Sequence, residues 1–214
     1  MVSMTFYDVP DSSGKSGKTR ASYKFTFEFN RDGDIIHQKG VSFQDTAAKL
    51  IEETFFTYNS KGFRIAAQHP NASKPYATDF YDDNGKLNTI YSLDDQTGRT
   101  LKTTKLIYKA GESLCEYDVY LPDGKLTDRT VYKSKGDLVT QTTEYDAAGQ
   151  LIEQNDFTYD TEGRLVAKAN TTKGQTFKTS IKYADFDRSG NYLTAVSYAN
   201  GKPYQIEKRA LTYY

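Results

Sequence analysis

"EYDAAGQLIEQNDFTYDTEGRLV", residues 144–166, states the same short phrase twice. Tyr145-Asp146 leads through two residues to Gly149 and then Leu151, and fourteen positions later Tyr159-Asp160 leads to Gly163 and Leu165. An aromatic followed four residues later by glycine also occurs at Phe29/Gly33, Tyr58/Gly62, Tyr81/Gly85, Tyr120/Gly124, Tyr132/Gly136 and Phe186/Gly190. From Gly85 to Gly163 the glycines at 85, 98, 111, 124, 136, 149 and 163 are spaced for one strand and one tight turn each.

The turn follows from the residue types. Asp146 suits the first position of a type I turn, and Gly149 suits the fourth, where a left-handed residue forms a bulge and returns the chain to pairing. That geometry sets the residue before the turn opposite the residue six further on. It pairs Tyr145 with Leu151, Tyr159 with Leu165, Tyr81 with Leu87, Tyr120 with Leu126, Tyr132 with Leu138 and Phe29 with Ile35. Each aromatic–aliphatic pair contributes roughly 0.2–1 kcal/mol. "KLIEETFFTYNSKG" from Lys49 echoes "QLIEQNDFTYDTEG" from Gln150, so Leu50–Tyr58 reads as strand, against a short helix capped by Asp45.

Strand centres are polar, as in "TDRT" (127–130), "TQTT" (140–143) and "EQND" (153–156), which a strand buried on both faces would not tolerate. With bulge-free strands, the odd step from Leu138 to Tyr145 between two even ones divides the Tyr/Leu pairs over both faces. The expected fold is all-β: an antiparallel β-meander of repeated hairpins forming a long twisted or coiled sheet, with a rolled sheet or open barrel as the alternative. Residues 1–22 read as an N-terminal segment carrying a mobile Ser/Gly/Lys-rich loop, and 23–214 as a single β-repeat domain. "HPNASKP" (69–75) reads as a surface loop.

Composition narrows the function. The 214 residues carry 28 basic and 28 acidic side chains, so no long-range field draws polyanions, and nucleic acid is excluded as a partner. Leu, Ile, Val and Phe make up only about a fifth of the chain, but 18 Tyr and 12 Phe argue against disorder. Cys115 is the single cysteine, which excludes an intrachain disulfide and a thiolate zinc site. No apolar run reaches the ~20 residues of a transmembrane helix.

The unit "YDTEGRLV" resembles the YD repeat of RHS-type bacterial proteins. Tyr159, Asp160, Gly163, Arg164 and Leu165 match its motif, and Tyr145, Asp146, Gly149 and Leu151 match with Gln150 in place of Arg. Short extracytoplasmic proteins of Bacteroidetes with similar repeats end in a strand like "KRALTYY". The resemblance implies a β-repeat architecture, a periplasmic or cell-surface location with a signal peptide removed, and a binding, shell or adhesive role without catalytic residues. The chain is far shorter than large RHS shells, and it has no copy of their proline-containing cleavage motif.

Sharper motifs mostly yield to structural readings. "SSGKSGKT" (12–19) approaches a phosphate-binding loop, but Ser12 replaces its first glycine and an alternating strand pattern follows instead of a helix. Asp185, Asp187 and Ser189 in "DFDRSGN" offer oxygens at calcium-loop spacing, yet the twelfth position is Val196. No other cofactor is expected. His37 and His69 lack a nucleophile-elbow context, and Asp82/Asp83 and Asp94/Asp95 have the composition of turns. A ligand site, if aromatic, would be a platform of Tyr120, Tyr132, Tyr145 and Tyr159 presented to glycan or protein. The leading expectation is a non-catalytic envelope binding or structural protein. Its competitors are a carboxylate-dependent glycoside-type hydrolase and a small immunity or regulatory protein, and exposed sheet edges would permit a strand-mediated homodimer.

Overall fold

The computed structural model describes residues 1–8, 20–44, 47–108 and 114–212. The Ser/Gly/Lys stretch with its near-phosphate-loop motif, and Asp45, fall outside them. The described chain contains sixteen strands: β1 (Val2–Asp8), β2 (Arg20–Phe29), β3 (Ile35–Gln44), β4 (Ala47–Tyr58), β5 (Arg64–Gln68), β6 (Ala77–Tyr81), β7 (Leu87–Leu93), β8 (Thr100–Tyr108), β9 (Leu114–Tyr120), β10 (Leu126–Lys135), β11 (Leu138–Asp146), β12 (Leu151–Tyr159), β13 (Leu165–Thr172), β14 (Gln175–Phe186), β15 (Tyr192–Ala199) and β16 (Lys202–Leu211). The echo between residues 49 and 150 thus marks a strand in both places.

The repeated phrase folds as its residues require. Gly149 N–H donates to the Asp146 carbonyl and Asp146 N–H to the Gln150 carbonyl, both at 3.0 Å. The Asp146 side-chain Oδ1 accepts from the Ala148 and Gln150 backbone N–H groups at 2.9 and 2.8 Å. Asp82, Asp160 and Asp187 repeat this double acceptance, as do Asn30 and Asn59 through their amide oxygens. The acidic residue after the tyrosine therefore fastens the turn from inside, and Gly149 at φ 78° supplies the left-handed step. Tyr145 faces Leu151, Tyr159 faces Leu165, Tyr81 faces Leu87, Tyr120 faces Leu126 and Phe29 faces Ile35. One expected pair is wrong. The turn after β10 has only two residues, Gly136 and Asp137, so Leu138 faces Lys135 and Tyr132 faces Thr142.

The larger correction concerns the sheet as a whole. β1 pairs antiparallel with both β2 and β16, and the hydrogen-bonded strand order closes into a sixteen-stranded barrel. The long twisted or coiled sheet with free edges is overturned, and so is the open alternative. The cause lies beside the turns. The register slips at Glu28/Phe29, Phe80/Tyr81, Glu144/Tyr145 and Thr158/Tyr159, and again at Ser92/Leu93 and Ile107/Tyr108. A bulge bends its strand and increases local twist, and regularly repeated bulges curl a sheet toward closure. The bulge-free assumption behind the parity reading hid this. With β1 paired on both sides, the strand edges required by an edge-to-edge homodimer are also gone.

The chain divides into two compact units, Met1–Phe55 with Lys178–Tyr214, and Phe56–Phe177. In the first, β1 lies between β2 and β16, and Phe6 meets Phe25 edge to face at 6.0 Å. In the second, the tyrosines tie neighbouring hairpins together: Tyr81 donates its hydroxyl to the Arg64 carbonyl at 2.9 Å and Tyr159 to that of Val139 at 2.8 Å. Phe63 stacks on Tyr81 with centroids 4.7 Å apart. The "HPNASKP" loop is bound to the β7–β8 turn by Lys74 N–H on the Asp95 carbonyl and by the Ser73 hydroxyl on that of Gln96. Among the described residues the buried apolar side chains are Ala67 and Ala195, whereas Ser42, Thr54, Asp79, Asp118, Thr130 and Thr143 are buried polar ones. The polar strand centres are thus compatible with a sheet that has no thick apolar core.

Candidate functional site

Strand alternation and register sort the side chains of the second unit onto two faces. One face carries Lys105, Asp118, Tyr120, Arg129 and Tyr145, because Lys105 pairs with Asp118, Asp118 with Arg129, and Arg129 with Tyr145. The other carries the rows Leu106–Tyr117–Thr130–Glu144 and Thr104–Val119–Asp128, with Tyr132 beside Thr142.

On the second of these faces the rows border a hollow of about 630 Å³, lined by Leu106, Tyr117, Val119 and Tyr132 together with Lys102, Asp128 and Glu144. Ile90 and Leu114 add to its aliphatic lining. The Tyr117 and Tyr132 rings lie 5.8 Å apart at 46°, and burial, reinforced by the neighbouring Tyr117, pushes the Tyr132 phenol up to about 12. It is therefore a neutral donor at every physiological pH. Beyond Tyr132 the same face continues as a polar ladder: Asn170 Nδ2 donates to Asn155 Oδ1 at 2.9 Å, and Asn155 Nδ2 donates to Glu153 Oε1 at 2.6 Å. Those amides hold the Glu153 carboxyl below its ordinary value, with Asn155 the main cause.

The opposite face is a charge cluster. Asp118, 2% exposed, accepts from Arg129 Nε and Nη2 at 2.8 and 2.9 Å and from the Tyr120 hydroxyl at 3.0 Å. The Arg129 bonds hold the Asp118 carboxyl down, and in return the bond to Asp118 raises the Tyr120 phenol. Lys105 Nζ stands 5.1 Å from the Tyr120 ring centroid.

The four tyrosines expected to make a platform are not brought together. Tyr120 and Tyr145 share the charged face, Tyr132 lines the hollow opposite, and the Tyr159 hydroxyl is bonded to the backbone. Asp185 lies in β14, and Asp187 and Ser189 lie in one more repeat turn, in which Asp187 accepts through Oδ1 from the Ser189 and Asn191 N–H groups and through Oδ2 from Asn191 Nδ2. Among the described residues no group of three or more His, Cys, Asp and Glu side chains is arranged to hold a metal ion. Asp82 and Asp94 both accept turn N–H groups. His37 stacks on Phe55 at 4.5 Å between Glu28 and Glu53, with Nε2 3.0 Å from Glu53, and His69 stacks on Tyr76. The motif reading missed Tyr117, Asp128 and Glu144 because none belongs to a turn; carrying hairpin register across β9, β10 and β11 would have aligned them.

No protein-family model and no curated protein sequence matches the chain. Among solved structures, a porin-like protein from Bacteroides uniformis ATCC 8492 superposes with a TM-score of 0.66 at 12% identity, covering 98% of this chain and 97% of that one. The chain shares its fold with porin-like proteins. A second, from Bacteroides vulgatus ATCC 8482, gives 0.53 at 16% identity with 97% of each chain covered. The Photorhabdus luminescens Tc holotoxin pore matches over 13% of its own length, at 13% identity, with a TM-score of 0.33.

Proposed function

We propose that this protein is a non-catalytic β-barrel of the bacterial envelope that works in water and binds a polyhydroxylated ligand, a glycan, in the Tyr117/Tyr132 hollow. The observation that carries the reading is the composition of that hollow: two aromatic rings and aliphatic side chains in its lining, with Asp128, Glu144 and Lys102 beside them and an amide ladder continuing the face. Ring faces stack on the apolar faces of sugars, and carboxylates and amides hydrogen-bond hydroxyl groups. The porin-like fold supports an envelope location.

No helix among the described residues is long and apolar enough to cross a membrane, which says nothing of strands. A lipid-facing barrel needs an apolar outer band about 25 Å tall, and Arg or Lys at its midplane costs about 2–4 kcal/mol. Here both faces of β9–β12 are charged, one with Asp118 and Arg129, the other with Asp128, Glu144 and Glu153. β5 and β6 have only five residues each, about 17 Å of strand against a ~30 Å hydrocarbon core. Both features support a water-facing barrel.

A glycan array followed by titration calorimetry tests the reading. Saturable binding of at least one oligosaccharide class is expected, weakened roughly tenfold, about 1.4 kcal/mol, by Tyr132→Ala with the fold intact. The protein should also remain in the aqueous phase on detergent partitioning. Absence of glycan binding, or affinity unchanged in Tyr132→Ala, contradicts it. Cleavage of the bound oligosaccharide, abolished by Glu144→Gln, would replace it with the hydrolase reading.

A further inference from the structure

The acidic side chains around the Tyr117/Tyr132 hollow lack the partners that acids have elsewhere in this unit. Asp118 is met by Arg129, and Asp79 by Arg64. Asp128 and Glu144, both half-buried in the lining of the hollow, have no ion pair and no side-chain hydrogen bond among the described residues. Register sets Glu144 directly opposite Glu153 on β12, and like charges so placed repel each other. Glu153 is relieved by Asn155, Asn170 and Lys168, whereas Glu144 has no such relief. Among the described lining residues Lys102 is the one base against the two acids, so the hollow carries a surplus of one negative charge.

The rings show the same want of a cation. Tyr7, Tyr108, Tyr120 and Tyr198 each have a lysine ammonium 5.1–5.7 Å from the ring centroid, and the Arg209 guanidinium lies over Tyr192. No basic side chain among the described residues lies over Tyr117 or Tyr132, although their rings stand 5.8 Å apart in the same lining as the two acids. A cation is drawn to ring faces and to carboxylates alike, and more strongly where water is displaced.

We propose that the sugar unit held by Tyr117 and Tyr132 is an amino sugar with a free ammonium group, which lies against the rings and donates to Asp128 and Glu144. This deepens the glycan reading above and rests on it. One ammonium balances the surplus charge and screens Glu144 from Glu153. An N-acetylated unit leaves both as they are, and a uronic acid adds to both. A quaternary ammonium would suit the rings but has no hydrogen to give the carboxylates, whereas a primary ammonium has three.

Titration calorimetry of the full chain with a glucosamine tetramer, its N-acetylated counterpart and a galacturonic acid tetramer tests this. The glucosamine tetramer is expected to bind roughly tenfold tighter than the N-acetylated one, with the acid weakest. Glu144→Gln should abolish that preference, and Glu162→Gln, on an exposed turn, should leave it. Without ligand, Glu144→Gln should unfold in urea at a midpoint no lower than wild type, because the repulsion from Glu153 is gone. Failure of the glucosamine tetramer to bind, or equal or tighter binding of either competitor, would overturn the amino sugar and leave the glycan reading standing as long as another oligosaccharide binds. If no oligosaccharide binds, both are overturned. A preference kept in Glu144→Gln or lost equally in Glu162→Gln would overturn the inference, as would a lowered midpoint or failure to fold in Glu144→Gln, since Glu144 would then have a partner within the protein.

Discussion

Gly85→Ala is expected to destabilise the protein by about 3 kcal/mol, whereas Gly33→Ala, at the same turn position, is expected to cost about 1–2 kcal/mol. Both glycines are left-handed, at φ 78° and 91°, so both substitutions meet the conformational penalty. They differ in what surrounds them. Nothing lies within 4 Å of a Cβ built on Gly33, but at Gly85 that atom would stand 2.6 Å from Phe63 Cζ. Phe63 cannot retreat freely because it stacks on Tyr81, whose hydroxyl is bonded to the Arg64 carbonyl. The added methyl therefore disturbs two hairpins. Urea unfolding of the two variants measures the difference, and equal losses would show that the turn conformation alone matters.

Asp118→Ala is expected to cost about 2–3 kcal/mol at neutral pH, from loss of a buried carboxylate that accepts three hydrogen bonds. Breaking a fully buried pair can cost 3–5 kcal/mol. Arg129 is 43% exposed and keeps Glu116 at 3.1 Å, so solvent screening brings the value below that range. The sign of the pH dependence follows from the depressed carboxyl. Its contribution is fully present above the unfolded value near 3.9 and is lost as pH falls through the lower folded value. The stability gap between wild type and Asp118→Ala should stay constant from about pH 5 to 8 and narrow below about pH 4. A gap independent of pH down to 3 would remove the ion pair as its source.

Local structure was written plainly in the sequence. "YDAAG" and "YDTEG" contain the ring, the turn acceptor and the left-handed glycine, and a turn needs only neighbours in sequence to form. Tyr132/Gly136 misled because the same spacing precedes a two-residue turn, where Gly136 has a different role and Leu138 meets Lys135. Closure was hidden for two reasons. The glycine marks the bulge within the turn but not the further register slip in the strand beside it, as at Glu144/Tyr145, so the twist that slip adds could not be counted. The closing strand, "VSMTFYD", carries no copy of the repeat, and its Val2, Met4 and Phe6 show only ordinary alternation. The site was hidden by distance in sequence: Tyr117, Asp128, Tyr132 and Glu144 become neighbours only once three strands are in register.

Closure of the sheet through β1 is most directly measured by pairing cysteines on either side of that strand in a Cys115→Ser background. Ser3 faces Thr26 on β2 and Ala210 on β16, and directly opposed residues in antiparallel strands are ~4.5–5.5 Å apart at Cα, within disulfide reach. Ser3→Cys combined with Thr26→Cys, and separately with Ala210→Cys, should each give an intrachain disulfide in the monomer under mild oxidation. A bond to position 26 with none to position 210 would mean an open sheet, and would contradict the barrel.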